Sequence, residues 1–126
     1  DVLAERIDDL LKLFGLYDRR DYLLEGYSRG MKQKVLIAAA LIHDPPILFF
    51  DEPTSGLSQE DANRIIHLVS EISKNIPVLV IEHNIDIVLS ISDVITVLYQ
   101  GGVLAEGPAS EITNNQKVQE AYLGGI

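Results

Sequence analysis

Three short apolar runs, separated by segments with helical periodicity, constrain the fold of this chain more than any other feature. The runs are residues 47–50, 78–81 and 94–99, and the helical segments between them cover residues 58–74 and 85–92. Uninterrupted apolar runs such as those at residues 47–50 and 78–81 are typical of strands buried on both faces of a parallel sheet, and residues 94–99 are expected to form a third strand. A helix that connects two such strands makes them parallel. We therefore predict an α/β fold with a mostly parallel sheet flanked by helices and right-handed crossovers.

Two helical patterns precede the first apolar run. Apolar residues recur at three- and four-residue spacing over residues 3–14, and Gly15 is expected to end that helix. A second helix is predicted from Ser28 to Ile42, and because its second half is apolar nearly all round, we expect it to be buried.

A hairpin is predicted after the last apolar run. Gly101 and Gly102 form a two-residue turn signal, and an apolar strand at 103–105 follows it. Two short helical segments then lie near residues 109–113 and 118–122. The chain thus ends in an antiparallel appendage to the α/β layer.

The charge and composition exclude several classes of protein. With 10 basic and 19 acidic residues the net charge is −9, which disfavours nonspecific binding to nucleic acid because such binding requires neutralisation of phosphates. The absence of cysteine excludes thiolate metal sites and a disulfide scaffold. No apolar stretch approaches the roughly 18 residues of a membrane span.

Two adjacent carboxylates, Asp51 and Glu52, follow the first apolar run directly. Ligands of parallel sheets bind beyond the carboxyl ends of the strands, and successive residues there point to different sides. One carboxylate can therefore hold Mg²⁺ while the other orients or deprotonates a water. The alternative, a solvated Asp-Glu-Pro turn, is about equally favoured when this segment is taken alone.

A second candidate site lies at residues 27–31, at the predicted start of the second helix. Ser28 is a good N-cap, Gly30 permits close approach of a ligand to the backbone, and free amides at a helix start favour phosphate. Arg29 adds positive charge. An ordinary capped helix with a solvated basic turn is the alternative and, for this segment alone, the more common case.

The third candidate residue, His83, comes shortly after the run at 78–81. A histidine at the carboxyl end of a strand can donate a hydrogen bond to a phosphate. An isolated histidine is more often satisfied by a neighbouring protein group, and that alternative stays open here.

Taken together and in this order, the three segments resemble the ATP-binding-cassette (ABC) ATPases. Residues 27–31, Tyr-Ser-Arg-Gly-Met, are similar to the signature motif, and residues 47–53 are similar to the Walker B strand with its following glutamate. Residues 55–58 resemble the D-loop, and His83 matches the switch histidine. The resemblance implies the C-terminal part of a P-loop NTPase domain, with part of the helical subdomain at 1–43 and the core and tail at 44–126.

The resemblance also implies roles for individual residues. Asp51 would coordinate Mg²⁺, Glu52 would polarise the attacking water and His83 would contact the γ-phosphate of ATP. Ser28 and Gly30 would bind the γ-phosphate of ATP held by a second ABC ATPase subunit in a head-to-tail dimer. The remaining residues implied in nucleotide binding are Tyr27, Arg29, Met31 and Ser58.

Two features depart from the family pattern. Arg29 and Met31 replace the usual glycine and glutamine of the signature, and Ser58 replaces the usual aspartate of the D-loop, which puts the cross-dimer contact there in doubt. No Gly-x-x-x-x-Gly-Lys-Ser/Thr loop occurs in the chain, although that loop is the main grip on ATP. We therefore expect a C-terminal fragment that lacks the N-terminal half and is inactive alone, whereas its parent protein hydrolyses ATP.

The C-terminal segments from residue 82 onward resemble the ending of branched-chain amino acid importer ATPases, whereas the signature variant resembles that of polysaccharide and drug exporters. The expected function is the ATP-hydrolysing subunit of a transporter, cytoplasmic and peripheral at the inner face of the membrane, with transmembrane permease subunits and no nucleic acid as partners. The alternatives are an exporter ATPase, a soluble ABC ATPase that acts on ribosomes or DNA, and a non-catalytic interaction fragment.

Overall fold

The computed structural model describes residues 1–122, which form two compact units that meet in the chain between Glu82 and His83. The first unit contains helices α1 (Val2–Leu13), α2 (Arg29–Leu41) and α3 (Gln59–Ser73), strands β1 (Leu48–Asp51) and β2 (Val78–Ile81), and two short 3₁₀ turns, Tyr17–Arg19 and Leu24–Gly26. The second unit contains α4 (Ile85–Ile91), β3 (Ile95–Tyr99), β4 (Gly102–Gly107), α5 (Ala109–Asn114) and α6 (Gln116–Tyr122). Over residues 1–122, no helix is both long and apolar enough to cross a bilayer.

Strands β1 and β2 pair in parallel across the α3 crossover, as predicted for an α/β fold. The register runs from Leu48 opposite Val78 to Asp51 opposite Ile81. The predicted burial of both sheet faces is wrong, because alternate residues along each strand are exposed. Phe49 is 66% exposed and Ile81 is 56% exposed, since the described residues cover only one face of this sheet.

The core of the first unit lies among α1, α2, α3 and the covered face of the sheet. Its most buried apolar side chains are those of Phe14, Leu16, Ile37, Ile65 and Val69. Helix α2 buries only one side, with Leu36 exposed, so the predicted all-round burial of this helix is also wrong. Gly15 adopts a positive φ of 69° just after α1 and turns the chain into the core, as its position in the sequence predicts.

The second unit folds around the β3–β4 hairpin. The two-residue turn consists of Gln100 and Gly101, with φ values of 49° and 82°, because Tyr99 pairs with Gly102. The predicted turn at Gly101 and Gly102 is therefore wrong by one residue. Ile95, Ile112 and Val118 form the core of this unit. The predicted tail motif extends to Leu123 and Gly124, which lie outside the described residues.

Candidate functional site

The adjacent carboxylates lie where the sequence predicts them, at the carboxyl end of β1. Asp51 is the last residue of the strand, and its side chain is exposed. The Glu52 amide donates a 2.8 Å hydrogen bond to the Ile81 carbonyl, so the pairing with β2 continues one residue beyond the strand. Glu52 has a φ of 46°, a left-handed conformation that is uncommon for residues other than glycine. Such conformations cluster at functional sites, where the surrounding structure enforces them.

A tight turn follows Glu52 and is held by a residue of the neighbouring strand end. The Ser55 amide donates to the Glu52 carbonyl at 3.0 Å, and Pro53 and Thr54 are buried. Glu82 Oε1 accepts hydrogen bonds from the Thr54 amide at 3.1 Å and from the Thr54 hydroxyl at 2.6 Å. Sequence reasoning assigned no role to Glu82. The available signal was its position immediately after a strand that pairs with β1.

The segment at 27–31 forms a capped helix start, as predicted. Ser28 Oγ accepts a 3.1 Å hydrogen bond from the Met31 amide and so caps α2. Tyr27 is buried, and its hydroxyl donates to the Arg19 carbonyl. Gly30 is buried beside Asp61, and a Cβ atom at Gly30 would lie 2.7 Å from the Asp61 carboxyl carbon. Any larger residue at this position therefore requires the Asp61 side chain to shift.

Residues 27–31, here called the signature segment, and residues 55–58, here called the D-loop segment, lie close together within the first unit. The Arg29 guanidinium donates a 3.3 Å hydrogen bond to the Gly56 carbonyl. Ser58 Oγ accepts a 3.2 Å hydrogen bond from the Asp61 amide and caps α3, at the predicted start of that helical segment. The Arg29 contact places the start of α2 beside the loop that leads into α3.

His83 is exposed and begins the second unit, two residues after β2 in the chain. The next residue, Asn84, caps α4 by accepting hydrogen bonds from the Asp86 amide at 3.1 Å and the Ile87 amide at 3.4 Å. The predicted approach of His83 to a γ-phosphate stays a prediction.

The donors present fit Mg²⁺ only as an ion shared with a phosphate ligand. Within residues 1–122, no group of three or more His, Cys, Asp or Glu side chains could hold a metal ion. Mg²⁺ bound with substrate phosphates needs only one or two protein carboxylates and keeps several waters. The exposed Asp51 carboxylate at the end of β1 meets that requirement.

Comparison with known sequence families gives two matches. The family described as ABC transporter matches residues 2–55. The family described as Branched-chain amino acid ATP-binding cassette transporter matches residues 103–125. The first match contains the capped helix start and the end of β1, and the second contains all of β4 but its first residue, together with α5 and α6.

Similar proteins match over nearly the whole chain. Methionine import ATP-binding protein MetN of Histophilus somni (strain 129Pt) is 37% identical over 117 residues, which is 91% of this chain and 34% of that protein. ABC transporter ATP-binding protein NatA of Bacillus subtilis (strain 168) is 34% identical over 119 residues, which is 94% of this chain and 48% of that protein. The chain thus spans about a third to a half of the length of these curated relatives.

Solved structures match the fold closely. The ADP conformation of MJ1267, an ATP-binding cassette of an ABC transporter, superposes with a TM-score of 0.88 at 31% identity, over 98% of this chain and 51% of that one. CbiO1 from Clostridium perfringens, part of the ABC transporter complex cbiONQ, gives a TM-score of 0.81 at 32% identity, over 94% of this chain and 48% of that one.

Proposed function

Because this chain belongs to the ABC transporter ATPase family, we propose that it supplies the hydrolytic residues of a transporter's ATP-binding subunit. The observation that carries the proposal is the pair Asp51 and Glu52 at the end of β1, with Glu52 in a left-handed conformation beside β2. We use the term complete cassette for a protein in which residues 1–126 are accompanied by a phosphate-binding loop of the Gly-x-x-x-x-Gly-Lys-Ser/Thr type.

In the complete cassette, the two carboxylates have separate tasks. Asp51 would hold Mg²⁺, which would supply charge neutralisation at the phosphates of ATP. Glu52 orients the attacking water and accepts its proton. His83 donates a hydrogen bond to the γ-phosphate and loses that contact after hydrolysis.

The signature segment serves a second nucleotide. Ser28, Gly30 and the first-turn amides of α2 form a helix start that favours phosphate, and Arg29 adds positive charge. We assign this surface, with Tyr27 and Met31 beside it and Ser58 at the start of α3, to ATP held by a second cassette. Two cassettes would therefore form two shared sites.

The transported solute is proposed to be an amino acid, taken up with transmembrane permease subunits at the cytoplasmic face of the membrane. The tail matches the branched-chain amino acid transporter family over residues 103–125, which favours a branched-chain substrate. The MetN relatives are named for methionine import, which favours import as the direction.

The test replaces Glu52 with glutamine in the complete cassette. This change keeps the shape of the side chain and removes its basicity, so nucleotide contacts survive while the water loses its base. We expect ATP binding within about twofold of the original, ATP turnover at least about 100-fold lower and accumulation of an ATP-bound dimer. Glu60→Gln, at an exposed glutamate that pairs with Arg64, is the matched control and should retain full turnover. Near-normal turnover of Glu52→Gln would remove Glu52 from its role.

A further inference from the structure

One carboxylate oxygen of Glu82 holds the turn that follows Asp51 and Glu52. Oε1 accepts hydrogen bonds from both the backbone amide and the hydroxyl of Thr54, at 3.1 Å and 2.6 Å. Thr54 is 9% exposed, and both bonds are partly shielded from water. One carboxylate oxygen that accepts two hydrogen bonds from the same residue anchors the turn.

Glu52 lies between this anchor and a second one. Its own amide is bonded to the carbonyl of Ile81, the residue just before Glu82. Two consecutive residues at the end of β2 thus hold the chain on both sides of Glu52. Only Pro53, which is buried and has a restricted φ, separates Glu52 from Thr54.

The backbone of Glu52 needs such support. A φ of 46° is costly for a residue with a Cβ atom and persists where surrounding contacts enforce it. If the Thr54 anchor is lost, the turn gains freedom and Glu52 is able to relax toward an ordinary φ. Its carboxylate would then leave the position in which it orients a water.

We propose that Glu82 is a positioning residue for Glu52 and acts through its hydrogen bonds to Thr54. The proposal rests on the proposed function, in which Glu52 orients the attacking water. Glu82 has no direct part in the chemistry. The turn that it holds carries Glu52, so the expected effect is on the hydrolytic step, and variants at Thr54 test this while leaving Glu82 and its neighbour His83 unchanged.

The experiment measures ATP turnover and the Michaelis constant for ATP in the complete cassette and its variants. We expect Glu82→Ala to lower kcat by about 10- to 100-fold, the range that small displacements of a reacting group produce, with the Michaelis constant within about twofold. Thr54→Val removes the hydroxyl but keeps a similar side-chain volume, and it should lower kcat in the same way. Thr54→Ser keeps the hydroxyl, so its kcat should be close to that of the original protein. Glu111→Ala, at an exposed glutamate in α5, is the control.

A second measurement separates positioning from general destabilisation. If Glu82 acts through Glu52, then adding Glu82→Ala to Glu52→Gln should lower the residual turnover by less than about twofold. Equal losses from Glu82→Ala in both backgrounds, or a kcat unchanged by Glu82→Ala and Thr54→Val, would overturn the proposal. If Glu82→Ala fails to fold, the Thr54 pair of variants decides alone. Absence of turnover in the unmutated complete cassette would instead overturn the proposed function.

Discussion

The Arg29 guanidinium donates a hydrogen bond to the Gly56 carbonyl and so links the start of α2 to the loop before α3. Arg29 occupies the position at which the related signature motif has glycine. A longer side chain at this position therefore connects residues 27–31 to the loop at residues 55–58, which resembles the D-loop. Gly30 and Asp61 make the second contact between the same two helix starts.

We expect Gly30→Ala to destabilise the contact between α2 and α3. The new Cβ would lie 2.7 Å from the Asp61 carboxyl carbon, so Asp61 must move. Alanine stabilises a helix relative to glycine by up to about 1 kcal/mol, and the free energy needed to displace the Asp61 side chain offsets this gain. Adding Asp61→Ala to Gly30→Ala should relieve the conflict. A thermal-unfolding double-mutant cycle that gives additive effects for these two changes would contradict the packing argument.

Arg6 is expected to stabilise the C-terminal end of α2. Its side chain donates to the carbonyls of Ile42 at 2.5 Å and Leu41 at 2.8 Å, and it forms an ion pair with Asp44. Charged donors to the last carbonyls of a helix satisfy groups that lack helical partners. We expect Arg6→Ala to cost about 1–2 kcal/mol and to speed amide exchange in the last turn of α2 about tenfold.

Arg64 provides the matched control for Arg6, since it pairs with Glu60 on the exposed surface of α3. Arg64→Ala should cost less than about 0.5 kcal/mol, as is usual for exposed pairs spaced by four residues on a helix. Equal losses for the two arginine variants would show that the carbonyl contacts of Arg6 contribute nothing beyond a surface ion pair.

Residues 1–126 alone should not hydrolyse ATP at a measurable rate. The sequence contains no Gly-x-x-x-x-Gly-Lys-Ser/Thr loop, and catalysis of phosphoryl transfer depends almost wholly on positioning and charge neutralisation of the phosphates. The measurement is phosphate release by the purified chain with ATP and Mg²⁺. Turnover that disappears in Glu52→Gln would contradict this prediction.

Local signals predicted the elements well, whereas side-chain exposure and cross-strand contacts required the structure. The caps at Ser28 and Ser58 depend only on residues close in sequence, so α2 and α3 begin within one residue of their predicted starts. The contact between Glu82 and Thr54 joins residues 28 positions apart, and it follows only from the β1–β2 register. The hairpin turn was misplaced because Gln100, and not a second glycine, adopts the positive φ.

Residues 1–126 alone are expected to self-associate through the uncovered face of the β1–β2 sheet. Phe49, Leu79 and Ile81 are 66%, 47% and 56% exposed on adjacent parallel strands, and over residues 1–122 each of these strands pairs on one edge only. Contiguous exposed apolar surface next to open strand edges favours pairing with other chains. Phe49→Lys should weaken association, whereas Leu36→Lys should not, since Leu36 is equally apolar and exposed but lies on α2. Light scattering over a concentration series measures this effect. A monomer at high concentration with fully protected amides at residues 47–50 would show that the sheet is not an association surface.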